Sequence, residues 1–208
     1  MNYPDGDLEK EILAQGYSLL AGADEAGRGP LAGPLIAAAV IFKEIPDLPL
    51  RDSKLCTPAQ REKLFAQIKA TALAWAFGVV SVKELNRLNN MHKCALLAMQ
   101  RAVLKLKLPP DFLLIDGKFK LPGLTIPQKA LVKGDNRSLF IAAASILAKV
   151  KRDEIMVKLD KKYPGFGFAR HKGYGTREHF KALEKLGPSL IHRKNFTLFK
   201  SQEQLWID

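Results

Sequence analysis

The stretch from Tyr17 to Phe42, YSLLAGADEAGRGPLAGPLIAAAVIF, decides the fold. Tyr17 to Ala23 reads as a first, largely apolar strand, and Leu35 to Phe42 as a second. Between them Gly27-Arg28-Gly29-Pro30 makes a Gly/Pro-rich turn. Two acids, Asp24 and Glu25, stand at the end of the first run, just before that turn.

Working outward, Thr57-Pro58 pairs an N-cap residue with proline at the first helical position, which predicts a helix to about Ala70. Leu73 to Ser81 reads as a third strand. Ser81 with Glu84 fits a capping box, and helical pattern runs on, with one break, to about Leu106. Phe112 to Asp116 is a short apolar strand ending in an acid, and Ala130 to Lys133 a fifth strand. Arg137 to Lys161 has helical spacing through Ile141, Ile146, Leu147, Val150, Ile155 and Leu159. A loop rich in glycine and aromatics, YPGFGFARHKGYG, follows, and Thr176 opens a last helix to about Leu186. This order predicts an α/β fold: a mixed central sheet with helices on its faces. It also predicts one domain over residues 1–208, whose part from about residue 160 is basic and helical.

The 208 residues suffice for one domain with a full core. With 47% hydrophobic and 26% charged residues, disorder is excluded as the main description. Two cysteines, Cys56 and Cys94, exclude a disulfide framework or a cysteine zinc site, so a reducing compartment is expected. The start, MNYPDGDLEKE, lacks a signal peptide's basic and apolar regions. The longest apolar stretch, Pro30 to Phe42, is broken by Pro34 and too short to span a bilayer. A cytoplasmic monomer without membrane contact is the expectation.

The net charge is +12, unevenly placed. Residues 1–116 carry 14 Lys/Arg against 13 acids, while residues 117–208 carry 19 against 8. That asymmetry suggests a positive face for a polyanion. Its basic elements are Lys149, Lys151, Arg152, Arg170, Lys172, Arg177, Arg193 and Lys194, interleaved with Tyr163, Phe166, Phe168 and Tyr174. Cations neutralise phosphates, and a ring can pack on a sugar or base. Phe166 and Phe168 fit a small hydrophobic cluster better, whereas Tyr174, between two glycines, is the better candidate for a ligand. His171 and His192 each neighbour a basic residue, which fits either a phosphate-facing surface or no special role.

Three places end in acids: Asp24-Glu25, Asp116, and Asp135 just after the fifth strand. Carboxylates at strand ends can converge at one sheet edge, where they repel unless cations neutralise them. Such hard oxygen ligands suit Mg²⁺ or Mn²⁺, and two such ions can flank a phosphodiester. Taken singly, each acid reads as well as a solvated turn residue. The glycine run misses the dinucleotide fingerprint because its last glycine arrives one place late, and there is no phosphate-loop Gly-Lys-Ser/Thr. The four histidines form no HExxH pattern, which excludes a zinc site of that kind. A small nucleotide-binding enzyme and a non-catalytic nucleic-acid-binding module are the competing readings.

Taken together, six strings are specific: GADEAGRGPLAGP (Gly22 to Pro34), DSK (Asp52 to Lys54), LIDGK (Leu114 to Lys118), VKGD (Val132 to Asp135), IAAASILAKVKRD (Ile141 to Asp153) and HKGYGT (His171 to Thr176). In this order the chain closely resembles the type 2 ribonucleases H, the bacterial ribonuclease HII branch in particular. The resemblance implies a ribonuclease H-like fold with a helical C-terminal extension. It implies an endonuclease that hydrolyses RNA in RNA–DNA hybrids and cuts 5′ of ribonucleotides embedded in duplex DNA, leaving a 3′-hydroxyl and a 5′-phosphate. Its four-carboxylate catalytic and metal site falls on Asp24, Glu25, Asp116 and Asp135, with two Mg²⁺ or Mn²⁺ ions. Its substrate-binding positions fall on Gly27, Arg28, Gly29, Lys54, Lys172 and Tyr174, the glycines and Arg28 meeting the 2′-OH and Tyr174 the neighbouring deoxyribose. Asp153 reads as structural. The tail, Gln202 to Trp206 (QEQLW), resembles peptides that dock on a replication clamp.

Overall fold

The computed structural model describes residues 4–50, 52–194 and 196. Five strands form one sheet: β1 (Leu20–Ala26), β2 (Leu35–Ile41), β3 (Ala74–Val80), β4 (Phe112–Asp116) and β5 (Gln128–Leu131), in the order β3-β2-β1-β4-β5. β1 pairs antiparallel with β2, and β2 with β3. β1 and β4, and β4 and β5, are parallel, so the sheet is mixed as expected.

β1 starts and ends three residues later than the apolar run suggests. At its start the Ser18 and Leu19 N–H groups donate to the Asp111 carboxylate rather than to a strand neighbour. At its far end the pairs Glu25↔Ala37 and Ala26↔Ile36 carry the ladder through the acids. β5 is displaced the other way: it starts and ends two residues earlier than read, and just beyond it Lys133 takes a left-handed conformation and turns the chain.

Helices cover both faces. Along β1, Leu20 faces one core, with Leu114 and α5 (Leu139–Lys162); Ala21 and Ala23 face the other, with α4 (Met91–Leu104). α2 (Pro58–Thr71) packs beside α5, and α3 (Val82–Leu88) beside α4. Thr57 with Gln60 and Ser81 with Glu84 both close as capping boxes. Small residues bring α5 close: a Cβ on Gly22 would lie 2.2 Å from the Phe140 carbonyl carbon. Ser138 caps α5, its hydroxyl accepting from the Ile141 N–H.

An N-terminal helix, α1 (Asp7–Ala14), has no counterpart in the sequence reading. It is docked by a buried acid: Glu9 accepts from Ser138 Oγ at 2.6 Å and from the Phe140 N–H at 3.2 Å, at the positive end of α5. Beyond α5, the short helix α6 (Phe168–His171) and α7 (Arg177–Leu186) enclose a third core. Phe166, Phe168, Phe180 and Leu183 pack there against Leu31, Ala32 and Met156. Phe166 and Phe168 stack with centroids 5.2 Å apart, as the hydrophobic-cluster reading expects. The segment that follows the glycine turn, Leu31 to Gly33, is thereby buried against the basic C-terminal part, while Arg28 and Gly29 stay exposed. Among the described residues no helix is long and apolar enough to cross a membrane.

Candidate active site

The parallel register of β1 and β4 matches Ala23 with Ile115, which sets the next residues, Asp24 and Asp116, side by side at the sheet's end. Strand alternation directs Asp24 to the α5 face, with Leu20 and Gly22, and Glu25 to the α4 face. Asp135 reaches the site from the 3₁₀ turn Gly134–Asn136 between β5 and α5. The Gly134 N–H donates to Asp116 Oδ1 at 2.7 Å and ties that turn to β4.

Asp24 is buried, and its carboxyl is held well above the ordinary range. Burial is the largest cause, followed by the charges of Glu25 and Asp116. Hydrogen bonds from Ser145 of α5 and from the Glu25 N–H, the latter at 2.6 Å, oppose the rise. Glu25 is also raised by burial; Arg28, 3.3 Å away, counteracts it, and Asp116 adds to it. Asp135 is pushed up to about 6 by burial and by Asp52 and Asp116, against the pull of Lys54. For Lys54, burial acts downward, but Asp52, Asp135 and Asp24 outweigh it and leave the ammonium raised. The charge of Asp116 acts on Asp24, Glu25 and Asp135, and Lys54 interacts with Asp24 and Asp135, so the four acids and Lys54 form one electrostatic cluster.

A dense carboxylate cluster with only one or two cations at its edge fits a hard divalent ion. Among the described residues no three acid, histidine or cysteine side chains form a ready-made shell around one ion. An ion of the Mg²⁺ type takes carboxylate oxygens together with waters and a substrate phosphate.

The glycine turn sits beside these acids. Gly27 has φ +105°, and a Cβ there would meet Arg152 Nε at 2.2 Å, so only glycine fits. Gly29 lies open toward Tyr174: a Cβ on it would stand 3.7 Å from the ring's Cε1. Gly29 and Tyr174, 145 positions apart, thus face each other. The ring is 42% exposed, with Lys149 Nζ 5.8 Å and the Arg152 guanidinium 5.9 Å from its centroid. Lys172 follows α6 in a left-handed conformation and hydrogen-bonds the Ala169 carbonyl. It lines an 880 Å³ cleft with Tyr174, Lys149, Lys158, Lys161 and Arg170.

Four groups of the basic part are buried rather than turned to a phosphate-facing surface. Arg152 and Arg193 are fully buried and donate to backbone carbonyls of the turn after β1. His171 and His192 are buried as well, against Phe166, Phe168 and His179. Asp153 pairs with Lys149 at 2.8 Å, in keeping with its structural reading. Gln202 to Trp206 lie outside the described residues. Two contributors were not singled out from sequence. Asp52 reaches Asp135 and caps the Lys54 turn, and Ser145 supports Asp24. Their signal was present, since Asp52 opens the DSK string and Ser145 stands within IAAASILAKVKRD.

A mixed sheet with paired acids at the ends of adjacent parallel strands defines the ribonuclease H-like class. A family model described as Ribonuclease HII matches residues 21–199, and the chain belongs to that family. It is 51% identical over 196 residues to a ribonuclease HII of Pelotomaculum thermopropionicum, covering 93% of this chain and 73% of that one. Among solved structures it is similar to ribonuclease H2 from Pyrococcus horikoshii, with 27% identity, TM-score 0.74, and 90% and 96% of the two chains covered. Bst-RNase HIII in complex with Mn²⁺ shares the fold at 20% identity and TM-score 0.70, over 89% of this chain and 69% of that one. The chain is therefore a type 2 ribonuclease H, an endonuclease for RNA–DNA hybrids.

Proposed function

We propose that this enzyme also cuts at single ribonucleotides embedded in duplex DNA, 5′ of the ribonucleotide, using Asp24, Glu25, Asp116 and Asp135 with two Mg²⁺ or Mn²⁺ ions. The observation that carries the reading is the meeting of the Gly27–Gly29 turn with Tyr174 beside the carboxylate cluster. Backbone without a Cβ can approach a 2′-OH, the group that tells RNA from DNA. A tyrosine ring one sugar further on favours deoxyribose, which has no 2′-OH to crowd it. The pair reads a junction rather than a uniform strand.

When bound, the divalent ions supply charge neutralisation and an activated water. The chain's own residues do the rest. Asp24 and Asp116, side by side on β1 and β4, would hold the metals most directly. Glu25 and Asp135 would complete the site and help place the attacking water. Ser145 and the Gly134 N–H fix the orientation of Asp24 and Asp116. Lys54 and Lys172 meet phosphates and set the position of the strand without reading its sequence.

Cleavage of a labelled duplex with one ribonucleotide, with and without Mg²⁺ or Mn²⁺, tests the reading. Metal-dependent incision 5′ of the ribonucleotide is expected, with an all-DNA duplex left intact. Asp116→Asn should abolish incision while hybrid binding persists, because the shape remains and the charge is lost. Activity confined to long hybrids, or retained by Asp116→Asn at millimolar Mg²⁺, contradicts it. A pull-down with and without residues 201–208 decides whether Gln202 to Trp206 dock on a clamp.

A further inference from the structure

Three consecutive residues near the end of the described chain touch both halves of the junction-reading device. The Gly33 N–H donates to the Ile191 carbonyl at 2.9 Å, and the Arg193 N–H to the Leu31 carbonyl at 2.8 Å, with a β-bridge between His192 and Ala32. The Arg193 guanidinium then reaches beneath the turn. It donates to the carbonyls of Gly27 at 2.7 Å, Arg28 at 3.1 Å, Gly33 at 2.9 Å and Pro34 at 3.3 Å. Its hydrogen bonds are spent on the backbone of the turn.

His192 works in the other direction, and its hydrogen bonds leave one consistent arrangement of protons. The Ser189 N–H, 2.8 Å away, makes His192 Nδ1 an acceptor, so the imidazole proton lies on Nε2. That N–H donates to His179 Nε2 at 3.0 Å, which places the proton of His179 on Nδ1. His179 Nδ1 donates in turn to the Tyr174 carbonyl at 2.9 Å. Beside them, the Gly173 N–H donates to His171 Nδ1 at 3.2 Å, and His171 Nε2 donates to the Phe166 carbonyl at 2.7 Å. All three rings are buried and neutral in this pattern. A further proton on His192 or His179 would set N–H against N–H.

We propose that Ile191-His192-Arg193 is a clasp that sets the spacing between the Gly27–Gly29 backbone and the Tyr174 ring, with His192 and Arg193 as positioning residues for recognition of a lone ribonucleotide. The proposal rests on the junction reading given above. It goes beyond it by assigning the device's geometry to residues that touch no substrate. A misplaced clasp has unequal consequences for two substrates. A hybrid presents a ribonucleotide at every step, so a complex shifted in register still meets a cleavable bond. A lone ribonucleotide offers one productive register, and a shift there loses the reaction.

The test uses the full chain with Mg²⁺, and compares the parent with His192→Phe and Arg193→Lys. Phenylalanine keeps the ring's bulk without its nitrogens; lysine keeps the charge but cannot span four carbonyls. For both variants kcat/KM on the single-ribonucleotide duplex should fall at least tenfold, with the hybrid changed less than threefold. Nitrogen-15 NMR of the parent should show His179 protonated on Nδ1 and His192 on Nε2 at neutral pH. In His192→Phe the His179 Nε2 signal should move as its donor is lost. Parallel losses on both substrates, no loss on either, or the opposite tautomers in the parent overturn the clasp. If His192→Phe does not fold, the Arg193→Lys ratio and the parent's NMR still decide. A parent that ignores the single ribonucleotide, with the tautomers as assigned, overturns the junction reading instead.

Discussion

The buried histidine chain makes the C-terminal part of the fold acid-labile. Burial, the largest cause, lowers His179 from an ordinary 6.5 to about 4, with the neighbouring His171 and His192 adding to the fall against the bond to Tyr174. An unfolded chain takes up a proton at this residue below pH 6.5, whereas the folded chain resists until about 4. The stability held in neutral His179 is therefore complete above pH 6.5 and drains away as pH falls from 6.5 toward 4. Between pH 7.5 and 4.5 the difference in proton binding amounts to about 2–3 kcal/mol for this one residue. His171 and His192, also lowered by burial, act in the same direction.

The acids of the candidate site work the other way. Asp24, Glu25 and Asp135 are all raised, so acidification protonates them more readily in the folded chain and favours folding. The parent's own pH profile mixes both effects, and a difference between two proteins separates them. Urea unfolding of the parent and of His179→Gln, at pH 7.5 and 4.5, is the assay. At pH 7.5 the variant should be the less stable, since its amide cannot make both of the ring's hydrogen bonds. Over the drop to pH 4.5 it should lose about 2 kcal/mol less than the parent. Equal losses would mean that His179 titrates as an exposed histidine does, and that the neutral chain of protons is wrong.

Gly22→Ala should cost about 1–3 kcal/mol or more in urea unfolding, because its Cβ would fall 2.2 Å from the Phe140 carbonyl carbon and push α5 off β1; a neutral substitution would contradict that close approach. Ser145→Ala should raise the Mg²⁺ needed for half-maximal hybrid cleavage about tenfold by freeing the Asp24 carboxyl, and an unchanged requirement removes Ser145 as its support. Lys161→Ala with Lys172→Ala should flatten the log–log salt dependence of duplex binding by about 0.9 for each phosphate that is no longer neutralised; an unaltered slope would mean the duplex runs elsewhere than the 880 Å³ cleft they line.

Much of this architecture is legible in the sequence because local physics and tertiary packing agree there. β4 falls on Phe112–Asp116 as read, and the two capping boxes fix the starts of α2 and α3. Disagreement appears where long-range partners decide. The start of β1 is set by Asp111, 93 residues from Ser18, and its end by the ladder to β2. α1 has eight residues, and a buried glutamate holding the N-terminus of α5 gives no apolar pattern to read.

The acids and the basic residues fare differently for one physical reason. A carboxylate at the end of an apolar strand is already placed by that strand, so the sequence marks Asp24 and Asp116 by position. A guanidinium carries no such mark. Arg152 and Arg193 sit among lysines and aromatics, as a phosphate-binding arginine would, yet both turn inward and satisfy carbonyls more than a hundred residues away. Arginine's five donors in a rigid fork serve either purpose equally well. Charge counted along the chain therefore overstates the surface that a duplex can meet. The excess of 19 Lys/Arg over 8 acids in residues 117–208 includes two cations that shape the turn rather than attract the strand. The same inward turn is what lets a basic C-terminal part govern the geometry of a glycine turn that begins at residue 27.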